Sequence, residues 1–258
     1  SALLSTVSSL TLKAAMCSDL SEHGLARQIF AAVKAAVQIP MTVKMRLGWD
    51  HDSANAPEIA KIAEGEGADL VTVHGRTRMQ MYRGAADWKA ISRVKESVSI
   101  PLLVNGDILT LQDALDALRI SKADGVMVGR GSLRDPWILR RIGDHLKGLT
   151  PYEPSLVERQ DQLLRYFDWI SEETPKVRSA VGRMKKVTGY FTRGLPYGAD
   201  LRETIFHSHE FEPIYDAVRN WFNRLESESI GDGFSRVHVS DRTHFNEGDA
   251  RTLQRDRS

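Results

Sequence analysis

Two short glycine-bearing segments carry the residue types best suited to holding an anion. They are Asn105-Gly106-Asp107 and Gly129-Arg130-Gly131. Each closes a short apolar run, Leu102–Val104 in the first case and Gly125–Val128 in the second, and each is followed by an amphipathic stretch. Apolar run, tight turn and amphipathic stretch read as a buried parallel strand, a turn and a helix. Glycine lets backbone N–H groups approach an anion closely, and a helix start adds partial positive charge. Either turn alone would be explained by the left-handed conformation that glycine permits. The pair, one strand-helix unit apart and with Arg130 attached, points to a phosphate cradle.

Other side chains could do chemistry upstream. Lys44 stands in the apolar run MTVKMRL and is expected to be buried, where an ammonium needs a partner such as a salt bridge or an anionic ligand. His74 ends the run Leu70–Val73, and Arg76 and Arg78 follow in a polar loop. A histidine at a strand end is either a satisfied core residue or part of an active face. The two arginines are either solvated or phosphate ligands.

Downstream, Lys176, Arg178, Arg183, Lys185, Lys186 and Arg193 fall between Glu173 and Asp200 without an intervening acid, with Tyr190, Phe191 and Tyr197 among or beside them. Cations near phosphates give salt-sensitive RNA affinity, and aromatic rings stack on bases. A solvated helix face is the simpler alternative. His207 and His209 point apart at their spacing on a helix, so no metal is assigned.

The elements that must position these residues alternate. Apolar runs begin near residues 41, 70, 102 and 125, each followed by a helical stretch, after a first helix over residues 22–38. Serial strand-helix units imply a parallel sheet and an α/β fold. In a (β/α)₈ TIM-type barrel, strand carboxyl ends form the active face and the last two loops commonly hold phosphate. Only four such strands are visible before residue 150, too few to close a barrel. The expectation is the carboxyl-terminal half of a barrel over residues 1–150. Pro151 and Pro154 mark a break, residues 151–228 form a small all-helical domain, and residues 229–258 are a polar disordered tail.

Composition is that of an ordinary globular chain: 258 residues, 41% hydrophobic, 27% charged, net charge +1. That balance gives no chain-wide nucleic-acid signal, so any such signal is local. No apolar stretch is long enough to span a membrane, and a signal peptide is not expected. Cys17, the single cysteine, excludes an intrachain disulfide and fits a cytoplasmic location.

VKMRLGWD (43–50), TVHGRTRMQMYRGAADW (72–88), PLLVNGDI (101–108) and GVMVGRGSLRDPWI (125–138), together with SALL at the start and RMKKVTGYF (183–191), resemble the bacterial tRNA-dihydrouridine synthase family. The resemblance implies an FMN-dependent oxidoreductase that uses NADPH to reduce the C5=C6 bond of a uridine in tRNA. It implies FMN contacts by Lys44, at the flavin N1/C2=O edge, and by His74, with Asn105, Gly106, Asp107, Gly129 and Arg130 around the phosphate and ribityl chain. It implies RNA contacts by Arg76, Arg183, Lys185, Lys186 and Arg193. The family's catalytic cysteine sits in an Asn-x-x-Cys-Pro loop ahead of SALL, whereas Cys17 follows SALL, lacks those neighbours and is read as a small apolar residue. No catalytic residue is therefore assigned, and this chain is expected to bind FMN weakly and to show little synthase activity. Two other readings stay open: a different FMN-barrel oxidoreductase acting on a small molecule, and a non-catalytic RNA-binding remnant.

Overall fold

A computed structural model describes residues 23–231. Cys17 and the tail beyond residue 231 lie outside the described residues. The chain divides into two compact units, with the boundary at Leu102/Leu103.

The first unit holds α1 (His23–Ala36), β1 (Thr42–Arg46), α2 (Ala56–Gly65), β2 (Leu70–His74) and α3 (Trp88–Lys95). β1 and β2 run parallel, with Lys44 opposite Thr72 and Arg46 opposite His74. β2 is buried almost throughout, as an unbroken Leu-Val-Thr-Val run in a parallel pair should be. Its Val71 and Val73 pack in a core with Met45, Ile59, Ala60, Ile91 and Val94. Asp87 caps α3 by accepting from Ala90 N, and Pro57 opens α2, where a missing N–H costs nothing.

The second unit begins within β3 (Leu102–Asn105). It continues with α4 (Leu111–Ser121), β4 (Gly125–Met127), α5 (Gly131–Arg134), α6 (Ile138–Leu146), α7 (Leu156–Glu173), α8 (Val177–Phe191), α9 (Gly198–Phe206) and α10 (Phe211–Gly231). β3 and β4 pair in parallel, with Asn105 opposite Met127. The α/β reading and the parallel pairing are thus present. Leu163, Phe167 and Ile170 of α7 are buried with Met184, Ile205, Ile214, Val218 and Phe222, and Leu164 packs partly buried against them. α10 continues through Gly231, three residues into the span read as tail.

The Pro151–Pro154 link lies inside the second unit and is firmly tied. Tyr152 N donates to Asp144 Oδ2 at 3.1 Å, Glu153 meets Arg141 at 2.7 Å, and the Arg140 guanidinium stacks 3.5 Å from the Tyr152 ring centre. Ser155 and Glu158 then form a capping box that starts α7. No described helix is long and apolar enough to cross a membrane.

Candidate functional site

In the second unit, the two glycine turns converge. Asn105, at the end of β3, donates from Nδ2 to the carbonyl of Met127 at the end of β4, at 2.8 Å. Gly106 and Asp107 both take positive φ, 115° and 54°, which bends the chain sharply away from β3. The second turn meets the first directly. A Cβ placed on Gly131 would lie 2.3 Å from Ile108 O and 3.2 Å from Leu109 Cα. By contrast, a Cβ on Gly129 would meet no heavy atom within 4 Å. Across the mouth of the turns, Arg130 Nη2 stands 3.7 Å from Asp107 Oδ1, and both side chains are partly exposed.

The turns do not use their helices alike. α4 starts only at Leu111, behind a capping box in which Asp113 N donates to Thr110 Oγ1 and Leu109 N and Thr110 N donate to the Asp113 carboxylate. The helix start thus lies four residues beyond Asp107. α5 follows the second turn at once but is a single turn long. The Asn105 amide nitrogen latches β3 to β4.

In the first unit, β1 presents Thr42, Lys44 and Arg46 on one face. Lys44 is exposed there, which corrects the expectation of a buried lysine: its strand neighbours Val43 and Met45 point to the other face. Protein atoms near the ammonium still desolvate it enough to lower its pKa below the ordinary lysine value, with repulsion from Arg46 second. His74 is buried at the end of β2, beside Arg46 in register.

Arg46 went unremarked in the sequence. Its Nη1 donates to the carbonyls of Thr77 at 2.8 Å and Met81 at 2.9 Å, holding the loop after β2. The signal available was its place two residues after Lys44 on the same strand face. Arg76 holds the same loop from within. It is 3% exposed, and its guanidinium donates to the carbonyls of Arg83 and Gly84. The expectation of Arg76 as an RNA-facing cation is corrected, because its donors are spent on the chain itself. Arg76→Ala is expected to leave these carbonyls unsatisfied, costing about 2 kcal/mol. Limited proteolysis should then cut within residues 77–84 at protease concentrations that spare the unaltered protein.

The loops after β1 and β2 are also knitted together. Leu47 N donates to Arg76 O, Arg78 N to Gly48 O, and Met79 N to Trp49 O, at 3.2, 2.9 and 2.9 Å. Arg78 lies over the Trp49 ring at 5.9 Å.

The basic run of the second unit fans over α8. Lys186 is exposed at the centre of the outward face, and Arg183 and Lys185 flank it half-buried. Arg183 donates to Thr174 Oγ1 and sits 5.3 Å from the Trp169 ring centre. Lys185 Nζ donates to Phe206 O at 2.6 Å and lies 5.7 Å from that ring. Trp169 and Phe206 are 47% and 69% exposed, so the aromatic partners on this surface come from α7 and α9. Of the rings expected to stack, Phe191 is in the core, which corrects that expectation, and Tyr197 lies against Arg224 at 3.4 Å. Arg193 is half-buried just past α8.

The sequence profile of the dihydrouridine synthase family matches residues 14–222. A probable tRNA-dihydrouridine synthase of Rickettsia bellii is 45% identical over 207 residues, covering 80% of this chain and 63% of that protein. One from Rhodobacter capsulatus is 46% identical over 212 residues, covering 80% and 62%. tRNA-dihydrouridine synthase B of Xanthomonas campestris is 34% identical over 210 residues, again covering 80% and 62%. The chain therefore spans less than two thirds of the length of these relatives.

Proposed function

The chain belongs to the dihydrouridine synthase family, and from that premise we propose that it is the carboxyl-terminal portion of an FMN-dependent tRNA-dihydrouridine synthase. One observation carries the cofactor assignment. Two turns at adjacent strand ends touch at Gly131 and Ile108, leaving open space above Gly129 and a guanidinium at the mouth. These residues fit a phosphomonoester. Arg130 supplies the counter-charge, the turn backbones supply N–H donors, and the Asp107 carboxylate suits a ribityl hydroxyl rather than the phosphate. When bound, the flavin supplies hydride transfer from NADPH to C6 of a uridine.

The remaining roles belong to the chain's own groups. Lys44 and His74 are assigned to the flavin ring, the lysine favouring negative charge at the N1/C2=O edge. Lys186, Arg183 and Lys185 bind tRNA phosphates, Trp169 and Phe206 offer stacking faces, and Arg193 extends the basic surface. The target uridine must leave its stack to be reduced. Protonation at C5 has no donor assigned among the described residues, so this chain alone is expected to turn over little. Residues 1–150 are proposed to serve the cofactor as part of a barrel, and residues 151–228 to serve the RNA.

The test is a pair of titrations on the purified chain. FMN fluorescence should be quenched on binding, and unmodified tRNA should bind with an affinity that falls steeply with salt. Flavin binding without tRNA binding would favour a small-molecule oxidoreductase, and tRNA binding without flavin would favour an RNA-binding remnant. Turnover at the rate of an intact synthase would contradict the assignment of an incomplete site.

A further inference from the structure

Beyond the glycine turns, the second unit contains a buried arginine that stability alone does not explain. Arg159, on α7, is 3% exposed. Its guanidinium lies 5.6 Å from the Trp137 ring centre, and its Nη1 is buried without an acceptor. Burial lowers its pKa, the Asp135 and Glu153 carboxylates oppose that, and the Arg141 cation adds to it. A buried cation with incomplete hydrogen bonding is often no better for stability than an apolar side chain of similar size.

What surrounds Arg159 is the far end of the phosphate turn. α5 begins at Gly131, the residue wedged against Ile108, and is closed by Asp135 just beyond its end, whose N–H donates to Gly131 O at 2.8 Å. The Asp135 carboxylate is nearly buried and fixes the exit from that turn. It accepts from Trp137 N at 3.0 Å and from Arg141 Nη1 at 2.9 Å. Arg141 reaches on to Glu153 in the link to α7. Arg159 thus places a charge from α7 against Trp137, whose N–H is held by Asp135 at the close of the segment bearing Gly129, Arg130 and Gly131.

We propose that Arg159 is a positioning residue: through Trp137 and Asp135 it holds α5, and with it the Gly129–Gly131 turn, in the geometry that receives a phosphomonoester. The cofactor-facing turn and the RNA-facing helices are then set by one buried cluster. The part of this inference that concerns FMN rests on the cofactor reading above, while the part that concerns the turn does not.

The experiment compares the full chain with Arg159→Met and Arg159→Lys. Methionine fills similar space without the charge and is expected to leave the melting temperature of the flavin-free protein unchanged or higher. Hydrogen–deuterium exchange at amides 129–135 should rise roughly tenfold in Arg159→Met, while exchange in the α7–α10 core stays as it was. FMN affinity should fall about tenfold, and Arg159→Lys should recover part of both losses. Unchanged exchange at 129–135 in folded Arg159→Met would overturn the proposal. So would unchanged FMN affinity despite faster exchange. If the unaltered chain binds no FMN, the cofactor reading fails, and the exchange comparison still decides whether Arg159 positions the turn. Should Arg159→Met not fold, Arg159→Lys carries the same comparison: faster exchange confined to 129–135 supports the proposal, and an unchanged pattern contradicts it.

Discussion

Gly131→Val is expected to abolish measurable FMN binding, while Gly129→Ala is expected to weaken it without disturbing the flavin-free fold. The two glycines are two residues apart but face different surroundings. Any Cβ on Gly131 would collide with Ile108 O at 2.3 Å and crowd Val128 Cγ1 at 3.0 Å, so the two turns must separate. Overpacking of backbone against backbone costs up to about 3 kcal/mol, and a valine adds two further methyl groups. A loss of that size, if expressed in the phosphate site, is roughly a hundredfold in affinity. Gly129 has no atom within 4 Å of such a Cβ, and its φ lies outside the left-handed range that disfavours other residues. Alanine there should leave the melting temperature of the apoprotein nearly unchanged. It should still reduce FMN affinity about tenfold, because the methyl group occupies the space assigned to the phosphate. Thermal denaturation and flavin fluorescence titration on the two variants separate these outcomes.

The second large effect is expected on the α8 surface. Replacing Arg183, Lys185 and Lys186 together by alanine should lower tRNA affinity by a hundredfold or more at low salt. It should also reduce the slope of log K against log salt by about two to three, since each phosphate contact contributes roughly 0.7–0.9 to that slope. Lys186 alone, the most exposed of the three, should account for about one unit of slope. The triple variant should retain the helical core, because Met184, Val187 and Phe191 on the opposite face are untouched. If affinity falls while the salt slope stays constant, these side chains act through shape rather than as phosphate partners.

Much of the framework was legible from local pattern. The apolar runs at Leu70–Val73 and Leu102–Val104 are strands because unbroken β-branched and leucine residues suit parallel pairing, with β2 buried on both faces and β3 on the face of Leu102 and Val104. The two glycine turns fell where a strand had to end, and their adjacency follows from the parallel pairing of β3 with β4. What escaped was decided by tertiary partners. Lys44 looks buried by its neighbours in sequence, yet strand alternation puts Val43 and Met45 on the other side. Arg76 looks like a loop cation, and only the fold of residues 77–84 turns carbonyls toward it. The roles of Trp169 and Phe206 depend on how α7 and α9 meet α8, which no local period encodes. Phe191 is different: its spacing from Met184 and Val187 on one helical stripe already marked it as core.

The phosphate grip itself is tested most directly by comparing FMN with riboflavin, which lacks the phosphate, on the unaltered chain and on Gly129→Ala. The account predicts that the unaltered chain prefers FMN by a hundredfold or more, and that Gly129→Ala cuts that preference about tenfold while its weak riboflavin affinity is unchanged. Equal affinity for the two flavins in the unaltered chain would contradict it, because the turns at 105–107 and 129–131 would then not be where the phosphate is held.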